Sequence, residues 1–330
     1  MTKKKSNVFL QVLPYIVLLL FFIITPNVID KIFWFNAFIF VLAKMIAASS
    51  LRMVSLAGDM SFAMGAFMGL GAYGVAIMIM KWQFPVWLAI IIAAVFAGII
   101  AVLTGIPFAR LKNVYYCMTT MFLGVFLIYC FQSFEWSGGN TGIKQIPKLF
   151  GGDVQTNFWF FLGLAVVCVA LMWRFEHSRI GNTLKAISQS HEVAASIGVN
   201  ERFYRLMAIG VAAFFCGIAG ACYCLYNGQV VGSTYGMTLD LWIIMFFMVG
   251  GKDSFFGPLL GATVLGLVNE GSRTFGTYAP YLACVVLLIV AYALPGGLAS
   301  IPMAIKKAVD RKKTAGKKIK RKGGLSDGSQ

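Results

Sequence analysis

Few residues in this sequence are suited to covalent chemistry. Its two histidines, His177 and His191, lie in one polar stretch, where a solvated histidine is the ordinary case. The sequence contains no GxxxxGK(S/T) phosphate-binding loop, no HExxH, no GxSxG and no cluster of cysteine and histidine. Its seven cysteines all lie in apolar stretches, so neither a disulfide framework nor a metal site follows. We therefore predict no catalytic residues, no metal and no cofactor bound by this chain.

The candidate functional residues are instead polar groups beside long apolar segments. Lys44, Arg52, Asp59 and Asp240 are ionisable residues of this kind, and Ser61 follows Asp59 closely. Charges at membrane depth are costly, so each is a candidate functional residue. We select Arg52, Asp59, Ser61 and Asp240 as candidates for a path through the protein. The structural alternative places Arg52 and Asp59 at the membrane interface and lets Lys44 reach it along its alkyl chain.

The elements that must position these residues are membrane-spanning helices. Hydrophobic residues make up 59% of the 330 residues, charged residues only 12%, and the mean hydropathy is +0.80. Soluble domains are nearer half apolar. The apolar runs are continuous and about 20 residues long, which favours helices over an alternating β-barrel. The predicted class is an all-α, polytopic membrane protein.

About ten spans are predicted, within a range of eight to ten. Their approximate positions are 8–24, 32–51, 60–80, 84–104, 113–131, 157–173, 206–226, 238–250, 255–270 and 279–295. With this assignment, five Lys and Arg residues lie outside and 22 inside, which places both termini in the cytoplasm. The segment 238–250 is short for a full crossing, so it is expected to be tilted, broken or merged with its neighbour.

The formal net charge of +16 is concentrated at the ends of the chain. Ten Lys and Arg residues and one Asp lie between Lys306 and Lys322, and Lys3–Lys5 add three more positive charges. Both clusters flank apolar spans, which fits cytoplasmic segments near anionic lipid better than nucleic-acid binding. We expect a transmembrane domain over residues 1–305 and a basic, disordered cytoplasmic tail over 306–330.

Two glycine-dense stretches, at 56–74 and 250–261, predict close helix packing. Each contains a GxxxG motif, formed by Gly65 and Gly69 and by Gly257 and Gly261. Each motif follows a glycine that stands three residues before a Ser-Phe pair, which hints at an internal repeat. The predicted topology places both stretches on the cytoplasmic side. The main outside loop, 132–157, is interpreted either as a cover for the outer mouth, a partner contact or a plain connection.

The polar segment 174–205 is predicted to be a cytoplasmic docking element. Leu184 and Ile187 are three residues apart, and a second set, Val193, Ala194 and Ile197, shares a helical face. This predicts one or two short amphipathic helices, separated near Ser190 and stopped at Gly198. Their apolar side is expected to rest in a groove on a partner, with Arg202 and Arg205 toward lipid headgroups. The alternative is a helix lying at the membrane interface.

Motifs along the chain resemble those of a known permease family. Glu192–Gly198, EVAASIG, resembles the EAA-type loop of ABC importer permeases, which in that family docks into the ATPase. More widely, the chain looks like a branched-chain amino acid permease of the LivM type, within the LivH/LivM-like inner-membrane family. The matching segments are Leu56–Tyr73, Trp136–Ile143, Ser178–Ile187, Ala194–Gly198, Phe214–Ala221, Gly250–Ala262 and Leu294–Leu298.

The sequence departs from this family at the first glycine-dense stretch. Members commonly have Asn-Leu-Leu where this chain has Arg52-Met-Val, and Gly-Gln-x-Ser-Leu-Gly-His where it has Gly58-Asp-Met-Ser-Phe-Ala-Met. Two neutral polar positions are therefore charged here, and a histidine is replaced by Met64. If these residues line the path, the substrate differs from a branched-chain amino acid, and selection is decided near Arg52–Ser61.

The resemblance implies a permease subunit of an ABC importer in a bacterial cytoplasmic membrane. It implies a second permease subunit, two ATPases that use ATP, and an extracytoplasmic substrate-binding protein. The implied ATPase-coupling residues are Glu192, Ala194, Ala195, Gly198, Arg179 and Gly181. Branched-chain or related amino acids are the implied substrates, with urea or another small polar solute as the alternative. From a different class, an ATP-independent carrier or channel is also considered, and a membrane-embedded lipid enzyme is disfavoured because no polar catalytic cluster is found.

Overall fold

The computed structural model describes most of the predicted membrane domain. The described residues are 22, 32–111, 113–134, 137–190, 194, 196, 198–252, 254–272, 285, 288 and 297–298. The tail 306–330 lies outside them, and so do the predicted spans 8–24 and 279–295 apart from isolated positions. Within the described part the chain is mostly helical, which confirms the predicted class.

Nine helices and one short strand pair form the described fold. The helices are α1 (Ile32–Ser55), α2 (Met64–Trp82), α3 (Val86–Phe108), α4 (Asn113–Ser133), α5 (Val154–Glu176), α6 (Arg179–Gln189), α7 (Glu201–Asn227), α8 (Met237–Gly250) and α9 (Gly257–Ser272). The strands are β1 (Ile143–Lys144) and β2 (Gln229–Val230), which pair antiparallel, with Ile143 opposite Val230. This strand pair is the one departure from an all-α description.

Seven segments of the described chain are long and apolar enough to cross a membrane. They are α1 to α5, α7, and the continuous segment Gly232–Gly250, which contains α8. The 14 residues of α8 extend about 21 Å, and a short 3₁₀ turn at Gly232–Tyr235 lengthens the segment. The 16 residues of α9 extend about 24 Å, less than a typical hydrocarbon core of about 30 Å. The count of ten spans and the location of the termini stay predictions.

The central helix of the packing is α7, which lies against α1, α2 and α3. Glycine allows the backbones of α7 and α2 to touch: a Cβ on Gly220 would lie 1.8 Å from the Met68 carbonyl oxygen. In contrast, α3 and α4 expose large apolar side chains such as Leu103 and Phe122, which are 61% and 68% exposed. An apolar outer surface around a small-residue interior is the pattern expected of helices packed within lipid.

Each of the two glycine-dense stretches contains a short non-helical segment, here called a break, between two consecutive helices. The first break (residues 56–63) separates α1 from α2, and the second break (residues 251–256) separates α8 from α9. The breaks lie close together, because Arg52, in the last turn of α1 just before the first break, donates a hydrogen bond to the carbonyl of Lys252 in the second break. Both therefore lie at one end of the molecule, as the predicted topology requires.

The four glycines predicted to serve helix packing lie at close contacts. A Cβ on Gly65 or Gly69 would lie 3.0 to 3.1 Å from Tyr235. A Cβ on Gly257 would lie 2.1 Å from the Gly251 carbonyl oxygen, and one on Gly261 would lie 2.0 Å from the Phe246 carbonyl oxygen. At the last two positions, any side chain would have to displace backbone.

The predicted outside loop is held against the end of α7. Ile146 N–H donates to the Gly228 carbonyl at 3.0 Å, and Ile146 and Leu149 are buried. The loop ends at Asp153, which caps α5 and accepts hydrogen bonds from the hydroxyl and the backbone N–H of Thr156. These hydrogen bonds lower the pKa of the exposed Asp153 carboxyl. The loop lies at the end of α5 opposite to α6.

Candidate functional site

The candidate site lies at the end of the molecule that carries α6, here called the loop end. The turn between α5 and α6 is tight. Ser178 Oγ accepts a hydrogen bond from Gly181 N–H at 3.3 Å and donates to the Phe175 carbonyl at 2.7 Å. A Cβ on Gly181 would lie 2.2 Å from the Glu176 carbonyl oxygen. The turn closes because residue 181 is glycine, and it fixes the direction of α6.

The helix α6 is amphipathic, but its apolar face is already covered by other parts of the same chain. Leu184 and Ile187 are fully buried within the chain, while Arg179 and Ala186 are exposed. The prediction that the apolar side rests in a partner's groove is therefore wrong for α6, because the chain's own helices cover that side. The surface that α6 leaves for a partner is polar.

The second part of the docking element is described at few positions. Ala194 is buried, Ser196 and Gly198 are exposed, and Glu192 and Ala195 lie outside the described residues. Val199 N–H donates to the Ala194 carbonyl at 3.2 Å. Gly198 has φ +79°, a left-handed conformation that suits the predicted helix stop at this glycine.

Arg52 forms the first buried ion pair of the loop end. Its Nε and Nη2 donate to the two carboxylate oxygens of Glu176, at 2.8 and 2.9 Å. Glu176 also accepts from the Lys185 ammonium on α6 at 2.9 Å. Both members of the Arg52–Glu176 pair are almost fully buried. Such a forked, charge-assisted pair fixes geometry as well as charge.

Asp59 in the first break forms the second buried ion pair, with Arg205 of α7. Arg205 Nε lies 2.6 Å from Asp59 Oδ2, and its Nη atoms donate to the carbonyls of Ala109 and Leu111 at 3.0 and 2.7 Å. Its guanidinium also lies 5.3 Å from the centre of the Tyr116 ring. The prediction that Arg205 points to lipid headgroups is therefore wrong, because buried acceptors surround it.

The N-terminus of α2 is buried and satisfied by side chains. Ser61 Oγ accepts from Ala63 N–H at 3.3 Å, and Thr120 Oγ1 accepts from Phe62 N–H at 3.1 Å. Asp240 of α8 accepts from Gly65 N–H at 2.6 Å. A helix start leaves several backbone N–H groups without partners, and a carboxylate there is favoured by the helix dipole. Asp240 and Ser61 thus lie together at the start of α2.

A cavity of about 600 Å³ separates α6 from the breaks. Arg52 and Asp59 line it, whereas Ser61 and Asp240 are not among its lining residues. From α6, Lys185, Ser188 and Gln189 contribute to its wall. The four candidate path residues therefore divide into a pair facing the loop and a pair at the start of α2. In the described part of the chain, no group of three or more His, Cys, Asp or Glu side chains is placed to hold a metal.

Sequence reasoning missed the partners of the buried charges. The sequence pattern places Glu176 and Arg205 in the polar segment 174–205, and it gives no indication that Thr120 bonds the start of α2. Lys44 is bonded to Glu270 of α9 at 3.0 Å, in a largely buried ion pair. The usable signal was that each charge at membrane depth needs an opposite charge, and Asp and Glu together number only 12 in this chain.

Comparisons with known proteins agree on one family. The family described as "Branched-chain amino acid transport system / permease component" matches residues 33–295. The chain is 26% identical over 279 residues to the high-affinity branched-chain amino acid permease LivM of Escherichia coli K12, covering 76% of this chain and 65% of that protein. It therefore spans slightly less than two thirds of that relative.

Sugar permeases are also similar to this chain. The ribose import permease RbsC of Escherichia coli K12 is 23% identical over 266 residues, covering 76% of this chain and 80% of that protein. The fructose import permease FrcC of Rhizobium meliloti is 24% identical over 268 residues, covering 76% and 73%. No solved structure matches the chain. Because the family match covers most of the sequence, the chain belongs to the branched-chain amino acid transport system permease family.

Proposed function

We propose that this chain is the membrane-spanning permease subunit of an ATP-driven ABC importer in a bacterial cytoplasmic membrane. The observation that carries the proposal is α6, a short helix between two spans whose apolar face is fixed and whose polar face is exposed. In this role the loop end faces the cytoplasm. It meets two separate ATPase subunits, while a second permease subunit and an extracytoplasmic binding protein complete the importer.

The proposed docking surface is polar rather than apolar. It comprises the exposed side of α6, with Arg179 and Ala186, together with Ser196 and Gly198 beyond it. Glu192 and Ala195 join this surface by their place in the EVAASIG motif, and buried Ala194 and Gly181 support it from beneath. The ATPase binds this surface, and ATP-driven closure moves it. A shift follows only if the ATPase binds the two positions with different free energies.

Branched-chain or related amino acids are the proposed substrates. The name of the LivM relative favours them, whereas the ribose and fructose permeases keep sugars as a second candidate. Urea or another small polar solute is a further alternative. Arg52 and Asp59 each have an oppositely charged partner within the chain. These two departures from the family pattern therefore give no support to a charged substrate.

The path itself is proposed to pass the start of α2. Asp240 and Ser61 lie there, and both side chains are buried within the protein. Helix starts within the membrane are where transporters commonly place substrate and ion sites. Alternating access would open this region first to one side and then to the other.

The experiment is reconstitution with and without the ATPases. Purified permease complex in proteoliposomes, supplied with its binding protein, is tested for uptake of radiolabelled leucine and of ribose. Uptake is expected only with ATPases and internal ATP. Uptake by the permease alone would instead establish an ATP-independent carrier or channel.

Bulky substitutions locate the docking surface. Ala186→Trp and Gly198→Trp are expected to abolish binding of the ATPases while leaving membrane insertion intact. Gln155→Trp, exposed at the opposite end of the protein, is the matched control and should bind them normally. Normal ATPase binding by both loop-end variants would refute the assignment of this surface.

A further inference from the structure

We propose that two buried ion pairs, Arg52–Glu176 and Asp59–Arg205, join the docking loop to the first break so that both move as one unit. This inference rests on the proposed function and names residues that would transmit the motion. The two pairs are together called the charge clamp. None of its members is part of the docking surface.

Each pair connects the loop segment 174–205 to the region around the first break. Glu176 is the last residue of α5 and lies near the beginning of the loop segment. Arg205 lies near the start of α7 and is the last residue of the loop segment. Their partners are Arg52, in the last turn of α1, and Asp59, within the first break. The loop is therefore fastened at both of its ends, by charged groups that are almost fully buried.

The first break and α6 also approach each other closely between these two ion pairs. Gly58 has φ +88°, and a Cβ on it would lie 3.4 Å from Ser188 Cβ on α6. The helix α6 is itself held by Leu184 and Ile187, which are buried, and by the tight turn at Gly181. A force on the exposed face of α6 thus acts on a rigid helix that lies close to the break.

The clamp also reaches the second break and the start of α2. Arg52 donates both to Glu176 and to the carbonyl of Lys252, so its side chain joins the start of the loop segment to the second break. The residues that follow the first break begin α2, where Ser61 and Asp240 satisfy the backbone. A displacement of the loop would therefore be passed to the helix start at which the path is proposed.

Buried ion pairs fix the position of the loop relative to the first break more strictly than apolar packing does. Apolar residues of similar volume commonly replace a buried ion pair without loss of stability. The forked geometry of arginine, by contrast, fixes both distance and direction. The clamp can therefore be removed by paired apolar substitutions that are designed to leave the fold in place.

The test uses the whole complex in nanodiscs, with spin labels in a cysteine-free background at residue 252 and at residue 189, whose side chain lines the cavity beside the first break. These positions report the distance between α6 and the second break, and both are exposed. In the intact protein, this distance is expected to be the same with and without ATP and vanadate. In Arg52→Met/Glu176→Leu and in Asp59→Leu/Arg205→Met, it is expected to change by several ångströms when ATP is added.

Transport is measured on the same variants. Uptake of the substrate carried by the intact complex is expected to fall at least tenfold per ATP hydrolysed, while hydrolysis itself continues. The control is Lys44→Met/Glu270→Leu, which removes a buried ion pair away from the loop and should leave the distance between α6 and the break unchanged by ATP. Arg205→Lys, which keeps the charge and loses the fork, is expected to give a broadened distance distribution.

The clamp is supported only if distance and transport change together. A variant with an unchanged distance, or with unchanged uptake per ATP, overturns it. If the double variants do not assemble, Arg205→Lys supplies the same comparison, and an unchanged distribution there also overturns the proposal. Failure of the proposed function is distinguishable, because the intact permease would then not bind the ATPases at all.

Discussion

Replacing Arg205 by methionine tests how the buried charge at the first break is held. The variant keeps a long, apolar side chain in α7 but removes the guanidinium from Asp59 and from the carbonyls of Ala109 and Leu111. Asp59 borders the cavity at the loop end but is almost fully buried, so water can hydrate the unpaired carboxylate only in part. We expect the variant to be much less stable than the wild type.

The loss of unfolding free energy depends on which charged and polar groups stay buried without a partner. Removing one partner of a buried ion pair costs about 3–5 kcal/mol, since the other charge stays in place. In Asp59→Leu/Arg205→Met both charges of the pair are gone, and the remaining loss comes mainly from two carbonyls without their donors, with a smaller part from the looser contact of Arg205 with the partly exposed Glu201 at 3.5 Å. At about 1 kcal/mol for each hydrogen bond, the double variant should lose about 2 kcal/mol. The double variant is thus expected to be more stable than Arg205→Met alone.

The assay is the free energy of unfolding in mixed detergent micelles, titrated with denaturing detergent. Arg202→Met is the matched control, because Arg202 lies three residues earlier in the same helix and is exposed. Its unfolding free energy should stay within about 0.5 kcal/mol of the wild type. A loss below about 1 kcal/mol in Arg205→Met, or a double variant less stable than Arg205→Met, would refute the reasoning.

Three further predictions concern other parts of the fold. Gly220→Ala should destabilise the protein by about 1–3 kcal/mol in the same detergent-unfolding assay, because its Cβ would lie 1.8 Å from a carbonyl oxygen of the facing helix; Gly163→Ala, with no heavy atom within 4 Å of its Cβ, should be neutral in that assay. Asp240→Asn should preserve folding since its amide oxygen can still accept from Gly65 N–H, whereas Asp240→Leu should cost about 1–3 kcal/mol of unfolding free energy; equal stability of the two would contradict this role. The stability that Asp153 contributes should be present at neutral pH and lost as the pH falls below the carboxyl's ordinary value of 3.8, because its folded pKa is lowered; melting curves of the wild type and Asp153→Asn should therefore converge in acid, and a gap that persists there would contradict the cap.

Local patterns predicted the elements of this fold well. The apolar runs located the six long helices, because a bilayer requires about 20 continuous apolar residues whatever their neighbours are. The spacing of Leu184 and Ile187 indicated the short amphipathic helix α6, and glycine at residue 198 indicated the end of the second helical part of the segment 174–205. The glycine-dense stretches marked the two breaks, since backbone that approaches backbone cannot carry side chains.

The same patterns did not predict what each surface faces. The periodicity of α6 identified an apolar side, but the cover of that side is supplied by other helices of the chain. Arg202 and Arg205 are three residues apart in one polar segment, yet one is exposed and the other is buried beside Asp59. Pairings across 124 and 146 residues, such as Arg52 with Glu176 and Arg205 with Asp59, leave no local signal.

The sequence by itself determined a helical membrane protein, the short amphipathic helix α6 and the positions of the breaks, because hydropathy, periodicity and glycine content act over a few turns of chain. Its motifs determined the family. Only the tertiary structure decided that the two unusual charges near the first break are held by Glu176 and Arg205. The physical reason is that a charge at membrane depth must find an opposite charge in space, and the folding of distant helices decides which one is near.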